Sequence, residues 1–139
     1  MSRDAIPSRT SLLLAATLAG TMALEIRAME RFFTASRFAV VGASADRSKF
    51  GNKVLRWYLD RQLPVTPVHP KLSQMEGCVA EKDMGHMLEQ AGTPSEAPTS
   101  VSVITPPVIT LGLLQQYASN EQIKAFWLQP GAADGAVGA

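Results

Sequence analysis

Short β-branched apolar runs alternate along this chain with stretches in which apolar residues recur every three to four positions. Phe38-Ala39-Val40-Val41 is the first such run and ends in Gly42. Four successive apolar residues with no polar face predict a strand buried on both sides, so residues 38–41 should form the central strand of a sheet. After a loop over 43–50, Val54, Leu55, Tyr58 and Leu59 recur at helical spacing, with Lys53, Arg56 and Asp60 on the opposite face. That pattern predicts an amphipathic helix lying on the sheet, and Pro64 ends it. Residues 65–68 read as a second strand, in which Pro67 is tolerated near the strand end. A weak strand over 78–80 follows, then a short helix over 83–90 that buries Met84, Met87 and Leu88. The Gly- and Pro-containing stretch 91–100 is expected to be a loop. Residues 101–105 give a further strand, and Pro106-Pro107 places a proline at the start of a helix over 108–119. Leu111, Leu114 and Ala118 share one face of that helix, and residues 125–128 close the series as another buried strand.

Strand and helix in alternation predict right-handed crossovers and a parallel sheet with helices on both faces. The fold class is therefore α/β, a Rossmann-like three-layer α/β/α arrangement. In such a sheet, ligands bind beyond the carboxyl ends of the strands. A chain of 139 residues has the size of one domain, so a single site is expected. Residues 29–139 are read as that domain, and residues 1–28 as an N-terminal extension.

Composition narrows the class. With 46% hydrophobic and 18% charged residues, the chain has enough apolar material for a core and is not read as disordered. A formal net charge of +1 provides no broad basic field, which argues against a nucleic-acid partner; any anion site must be local. Cys78 is the single cysteine, so no intramolecular disulfide forms, and neither His69 nor His86 stands at metal-ligand spacing from it. Arg3 and Arg9 precede an apolar run over 11–24 that is too short to span a bilayer, so no stable membrane anchor is expected. The free thiol and the following domain favour a cytoplasmic protein. A mitochondrial presequence is the alternative, because Arg3, Arg9 and Arg27 outnumber Asp4 and Glu25 there.

The candidate chemistry lies in the loops after the predicted strands. Gly42-Ala43-Ser44 follows the first strand, where a helix N-terminus directs free N–H groups at an anion. Gly42 lets the backbone approach a diphosphate, Ser44 offers a hydroxyl, Lys49 adds a charge, and Asn52 lies in the opening turn of the helix. The spacing is neither Gly-x-Gly-x-x-Gly nor the P-loop pattern. His69-Pro70-Lys71 follows the second strand, where an NAD site usually presents an acid to the ribose. The reversed charge suits a ribose phosphate, which coenzyme A (CoA) carries at its 3′ position and NADP at its 2′ position. Thr105-Pro106-Pro107 and Gln129-Pro130-Gly131 follow the last two strands and are expected to wall the same crevice. Trp57 and Trp127 are assigned to the core. Glu89, Glu96 and His86 form no recognisable catalytic set, so the chain reads as a binding module rather than an enzyme.

Five blocks in order, Val40-Val41-Gly42-Ala43-Ser44, Lys49-Phe50-Gly51-Asn52, Pro67-Val68-His69-Pro70, Val103-Ile104-Thr105-Pro106-Pro107 and Trp127-Leu128-Gln129-Pro130-Gly131-Ala132, together resemble the small CoA-binding domain family, over about residues 32–132. That family is similar to the nucleotide-binding domain in the alpha subunit of succinyl-CoA synthetase. The resemblance implies that the Gly42–Ser44 turn and Lys49 hold the pyrophosphate of CoA or an acyl-CoA. It also implies that the loops at His69–Lys71 and Thr105–Pro107 flank the adenosine. His69 stands where many members have asparagine. The phosphorylated-histidine segment of the synthetase lies outside the matched region, so ligase activity is not implied. Members usually continue past the Gln-Pro-Gly turn with a helix and a strand. The stop at Ala139 is therefore expected to leave out a final βα unit and to expose a sheet edge through which copies associate. An NADP-dependent oxidoreductase, or a truncated product without ligand, are the alternatives.

Overall fold

A computed structural model describes residues 22–90 and 98–129. A helix over 22–33, α1, leads into β1, Arg37–Val41. The chain continues through α2 (Phe50–Asp60), β2 (Val65–Val68), β3 (Gln74–Met75), β4 (Cys78–Val79), α3 (Met84–Glu89), β5 (Thr99–Val103), α4 (Pro107–Tyr117) and β6 (Ile123–Leu128). Four strands form a parallel sheet in the order β2-β1-β5-β6, the α/β Rossmann-like arrangement expected from the alternation, with β1 inside it. Residue 28, expected to precede the domain, falls within α1.

Strand alternation sorts the core into two layers. Phe38 and Val40 of β1 face α1 and α2, where Phe32, Leu55 and Tyr58 pack with them. Ala39 and Val41 face the opposite side and pack with Met84, Met87 and Leu88 of α3, flanked by Leu113 and Tyr117 of α4. Crossing from β1 to β2 uses α2 on one face, whereas the return past β1 to β5 uses α3 on the other. The connections therefore diverge between β1 and β5, which is where a doubly wound sheet opens a crevice at its carboxyl edge.

Several boundaries differ from the sequence expectation, each for a local reason. The strand expected over 101–105 lies at Thr99–Val103. Its two leading polar residues are buried yet partnered: Thr99 Oγ1 accepts from Arg37 Nε at 2.7 Å, and Ser100 Oγ donates to the Phe32 carbonyl at 2.6 Å. Most of the expected 91–100 loop lies outside the described residues. The weak strand at 78–80 is not part of the main sheet. Cys78–Val79 pairs antiparallel with Gln74–Met75 across Glu76-Gly77, and both turn residues have positive φ (49° and 77°), the geometry of a tight hairpin turn. In α4 Thr110 is buried and Leu113 and Tyr117 pack against the core, Leu114 is half-buried, and Leu111 and Ala118 are exposed. The Thr110 hydroxyl donates to the Thr105 carbonyl at 3.0 Å and fixes the helix rotation one position away from the expected stripe. Trp127 is half-buried against the core, but Trp57 is 39% exposed, with the Arg61 guanidinium 4.0 Å from its ring centroid. Trp57 is therefore not a core residue; its position on α2 places it at the rim of a groove.

Candidate functional site

The registers align Val41 with Val68 and with Val103, so the loops after β1, β2 and β5 leave the same edge of the sheet. A cleft of about 780 Å³ opens there, and Gly42, Ala43, His69, Pro70 and Thr105 line it together. Three of the expected strand-end loops thus converge on one cavity. Ser44, Lys49, Lys71, Pro106 and Pro107 lie in those loops or in the first turn of the helix that follows, beside the cleft wall rather than in it. Gln129 lines a separate groove on the α1/α2 face with Trp57 and Trp127, and Pro130 and Gly131 lie outside the described residues.

The turn after β1 depends on two glycines. Gly42 has φ +90°, and a Cβ there would meet the Thr105 backbone nitrogen at 3.0 Å. Gly51, in the first turn of α2, lies so close to the Gly42 carbonyl that a Cβ would come within 2.1 Å of that oxygen. The helix can thus start against the turn, bringing the partial positive charge of its N-terminus to the carboxyl edge of β1. The rest of the loop is held from within. Ser44 Oγ accepts the Asp46 N–H, and Asp46 Oδ1 accepts both the N–H and the hydroxyl of Ser48. Those bonds hold the Asp46 carboxyl below the usual carboxylate range. Asn52 is fully buried: its amide donates to the Ser44 carbonyl and to Glu76 Oε1, both at 2.9 Å, while its Oδ1 accepts from Arg56. Asn52 therefore shapes the turn from beneath, with all of these contacts inside the protein.

Beyond β2, His69 is half-buried and Lys71 is exposed. The backbone N–H groups of Lys71 and Leu72 both donate to His69 Nδ1, at 3.0 and 2.9 Å, so the imidazole closes the loop on itself. Beyond β5, Thr105 Oγ1 and Thr110 Oγ1 are 2.9 Å apart. Since the Thr110 proton goes to the Thr105 carbonyl, the Thr105 proton is the one shared between the hydroxyls. Thr105 then presents acceptor lone pairs and no free donor. Pro106 and Pro107 form the cap and first position of α4, which suits a helix start.

Sequence reasoning missed the far wall. Lys82, Asp83, Gly85, His86 and Glu89 line the cleft from α3 and its approach, and Ile109, Leu113, Gln116 and Tyr117 from α4. Asp83 caps α3 by accepting the His86 N–H at 2.8 Å, and this bond holds its carboxyl below the usual range. His86 Nδ1 lies 3.4 Å from the same carboxylate. Burial, and then the charge of Asp83, push the Tyr117 hydroxyl above its ordinary value. The cleft thus combines an amide-lined turn, a cation at Lys82, the imidazoles of His69 and His86, hydroxyl acceptors, and an apolar wall from Met84, Ile109 and Leu113. Such a set can hold a nucleotide. Among the described residues no cluster of His, Cys, Asp and Glu is arranged to hold a metal ion, and no helix is long and apolar enough to cross a membrane. Cys78 sits on β4, away from the cleft lining, and burial raises its thiol above the ordinary value.

Known structures share this architecture. A conserved hypothetical protein from Pyrococcus furiosus is 27% identical, with a TM-score of 0.58 over 73% of this chain and 80% of that one. A hypothetical protein from Pyrococcus horikoshii is 22% identical, with a TM-score of 0.62 over 80% and 72%. Prb, a protein redesigned for binding, is 20% identical, with a TM-score of 0.60 over 78% and 70%. No curated protein matches the chain in sequence. The family model for the CoA binding domain matches residues 36–139, the part of the chain that carries the whole sheet and the cleft at its carboxyl edge, and the protein belongs to that family.

Proposed function

We propose that the chain binds CoA or an acyl-CoA in the cleft between α3 and α4, as a non-catalytic or accessory module of the cytoplasm. The observation that carries this reading is the convergence of Gly42, His69 and Thr105 on one cavity at the divergence point of a sheet whose family is defined by CoA binding. In this reading the diphosphate lies over the Gly42–Ser44 turn, where the amides at the start of α2 and Lys49 meet its charge. The adenosine enters the cleft against Met84, Ile109 and Leu113, and Lys71 meets the 3′-phosphate at the rim.

Calorimetric titration with CoA, acetyl-CoA, NADP and NAD is the test. CoA and its thioester are expected to bind, and the two dinucleotides are expected to bind far more weakly. Enhanced NADPH fluorescence that CoA does not compete away would reverse the assignment in favour of an oxidoreductase. No heat and no thermal stabilisation with any ligand at millimolar concentration would remove it.

A further inference from the structure

His69 closes the loop after β2 with its own side chain. Its Nδ1 accepts two backbone N–H groups, from Lys71 and Leu72, at 3.0 and 2.9 Å. An imidazole nitrogen accepts only when it carries no proton, so this geometry requires the neutral ring protonated on Nε2. An imidazolium has two donors and no acceptor, and it would face two N–H groups with a third. The backbone of His69 is fixed independently, because its own N–H donates to the Glu81 carbonyl at 2.9 Å and Val68 pairs with Glu81. Protonation therefore leaves β2 in place and releases only the turn that carries Lys71.

We infer that His69 is a positioning residue whose neutral imidazole folds the Lys71 loop against the cleft, so that ligand affinity falls as this one ring gains a proton. The inference rests on the cleft being a CoA site, since the loop gates ligand only if ligand binds there. The sign follows from the bonds: the closed loop exists with the neutral ring, so it is present at higher pH and lost as pH falls. Titratable groups stand near His69 on several elements. Lys71 lies in its own loop and Glu81 on the adjoining bridge, while Lys82, Asp83, His86 and Glu89 share the cleft from the α3 side and Tyr117 from α4.

Since the cleft holds a second imidazole at His86 and CoA carries phosphate groups of its own, one pH profile is insufficient. The variant His69→Asn separates them, because an asparagine carbonyl can accept the same N–H groups and never protonates. CoA affinity is measured by calorimetry at about pH 8 and about pH 5.5, on either side of the ordinary histidine value of ~6.5. Between those conditions the wild type is expected to lose on the order of tenfold more affinity than H69N, matching two hydrogen bonds of ordinary net strength. His86→Gln is expected to keep that excess loss. Equal losses in wild type and H69N would overturn the inference. The ligand-free protein gives a second readout: the amide resonances of Lys71 and Leu72 should move with pH in the wild type and stay fixed in H69N. If they do not, the switch is absent whether or not CoA binds. If they do and CoA fails to bind, the loop device stands and the ligand assignment falls.

Discussion

At the scale of single residues, the site depends on a close approach that no side chain can replace. Gly51 packs against the Gly42 carbonyl, and a Cβ placed there would come within 2.1 Å of that oxygen. Backbone cannot swing aside as the end of a side chain can, so Gly51→Ala must push α2 away from the turn. The expected cost is at the upper end of about 1–3 kcal/mol, as for other overpacked interiors, with loss of CoA affinity beyond the loss of stability. Denaturant unfolding and calorimetry on the same variant check both; unchanged affinity would detach α2 from the binding turn. Lys71 is the converse case, exposed and free of ion pairs among the described residues. Lys71→Ala should leave stability unchanged and weaken CoA on the order of fivefold while hardly affecting dephospho-CoA, because only the former presents a 3′-phosphate. Equal weakening of the two ligands would place the lysine elsewhere on the nucleotide.

At the scale of elements, α2 is held to the sheet by apolar contact and by one buried polar pair. Tyr58 on α2 and Ser102 on β5 are each 2% exposed, and their hydroxyl oxygens are 2.7 Å apart. Burial raises the Tyr58 hydroxyl above its ordinary value despite that bond, so it remains a neutral hydroxyl at physiological pH. Tyr58→Phe should cost about 1–3 kcal/mol, because Ser102 Oγ is then left buried without this partner, and Ser102→Ala added to it should recover part of the loss. Additive losses in the double-mutant cycle would mean that the pair carries no coupling. The helical spacing of Leu55 and Tyr58 showed which face of α2 is buried, and the apolar run Phe38-Ala39-Val40-Val41 marked the interior strand, because each pattern reports burial directly. Thr99 and Ser100 carried no such signal: polar side chains join a buried strand only when a partner waits, and theirs, Arg37 and Phe32, lie more than 60 residues away. The far wall of the cleft was hidden for the same reason. Asp83, His86, Gln116 and Tyr117 become neighbours only when α3 and α4 pack on one face. The glycine and proline punctuation after β1, β2 and β5, by contrast, pointed to the loops that bring Gly42, Ala43, His69, Pro70 and Thr105 to the cleft, whereas Gln129 after β6 lines the other groove.

For the whole molecule, the sheet divides the protein into two unlike faces. On one, α3 and α4 cover the core and leave between them the cleft at the carboxyl edge. On the other, α1 and α2 flank a groove of about 430 Å³ whose rim includes Phe33, Phe50 and Trp57, all at least 39% exposed. The two tryptophans report on this groove to different depths, Trp57 at its surface and Trp127 half-buried against the core. Acrylamide should therefore quench Trp57 readily and Trp127 poorly, so that Trp57→Phe removes most of the quenchable emission and leaves a protected signal. If the ligand is confined to the cleft, saturation with CoA should raise the melting temperature by mass action, about 2.7 kcal/mol of stabilisation at a hundredfold excess over Kd. The quenching of Trp57 should then stay unchanged, because the β-sheet lies between the two cavities. A ligand that both stabilises the fold and shields Trp57 would have to reach around the carboxyl edge past Phe50. In that case the groove would belong to the binding site, and the separation of the two faces would fail.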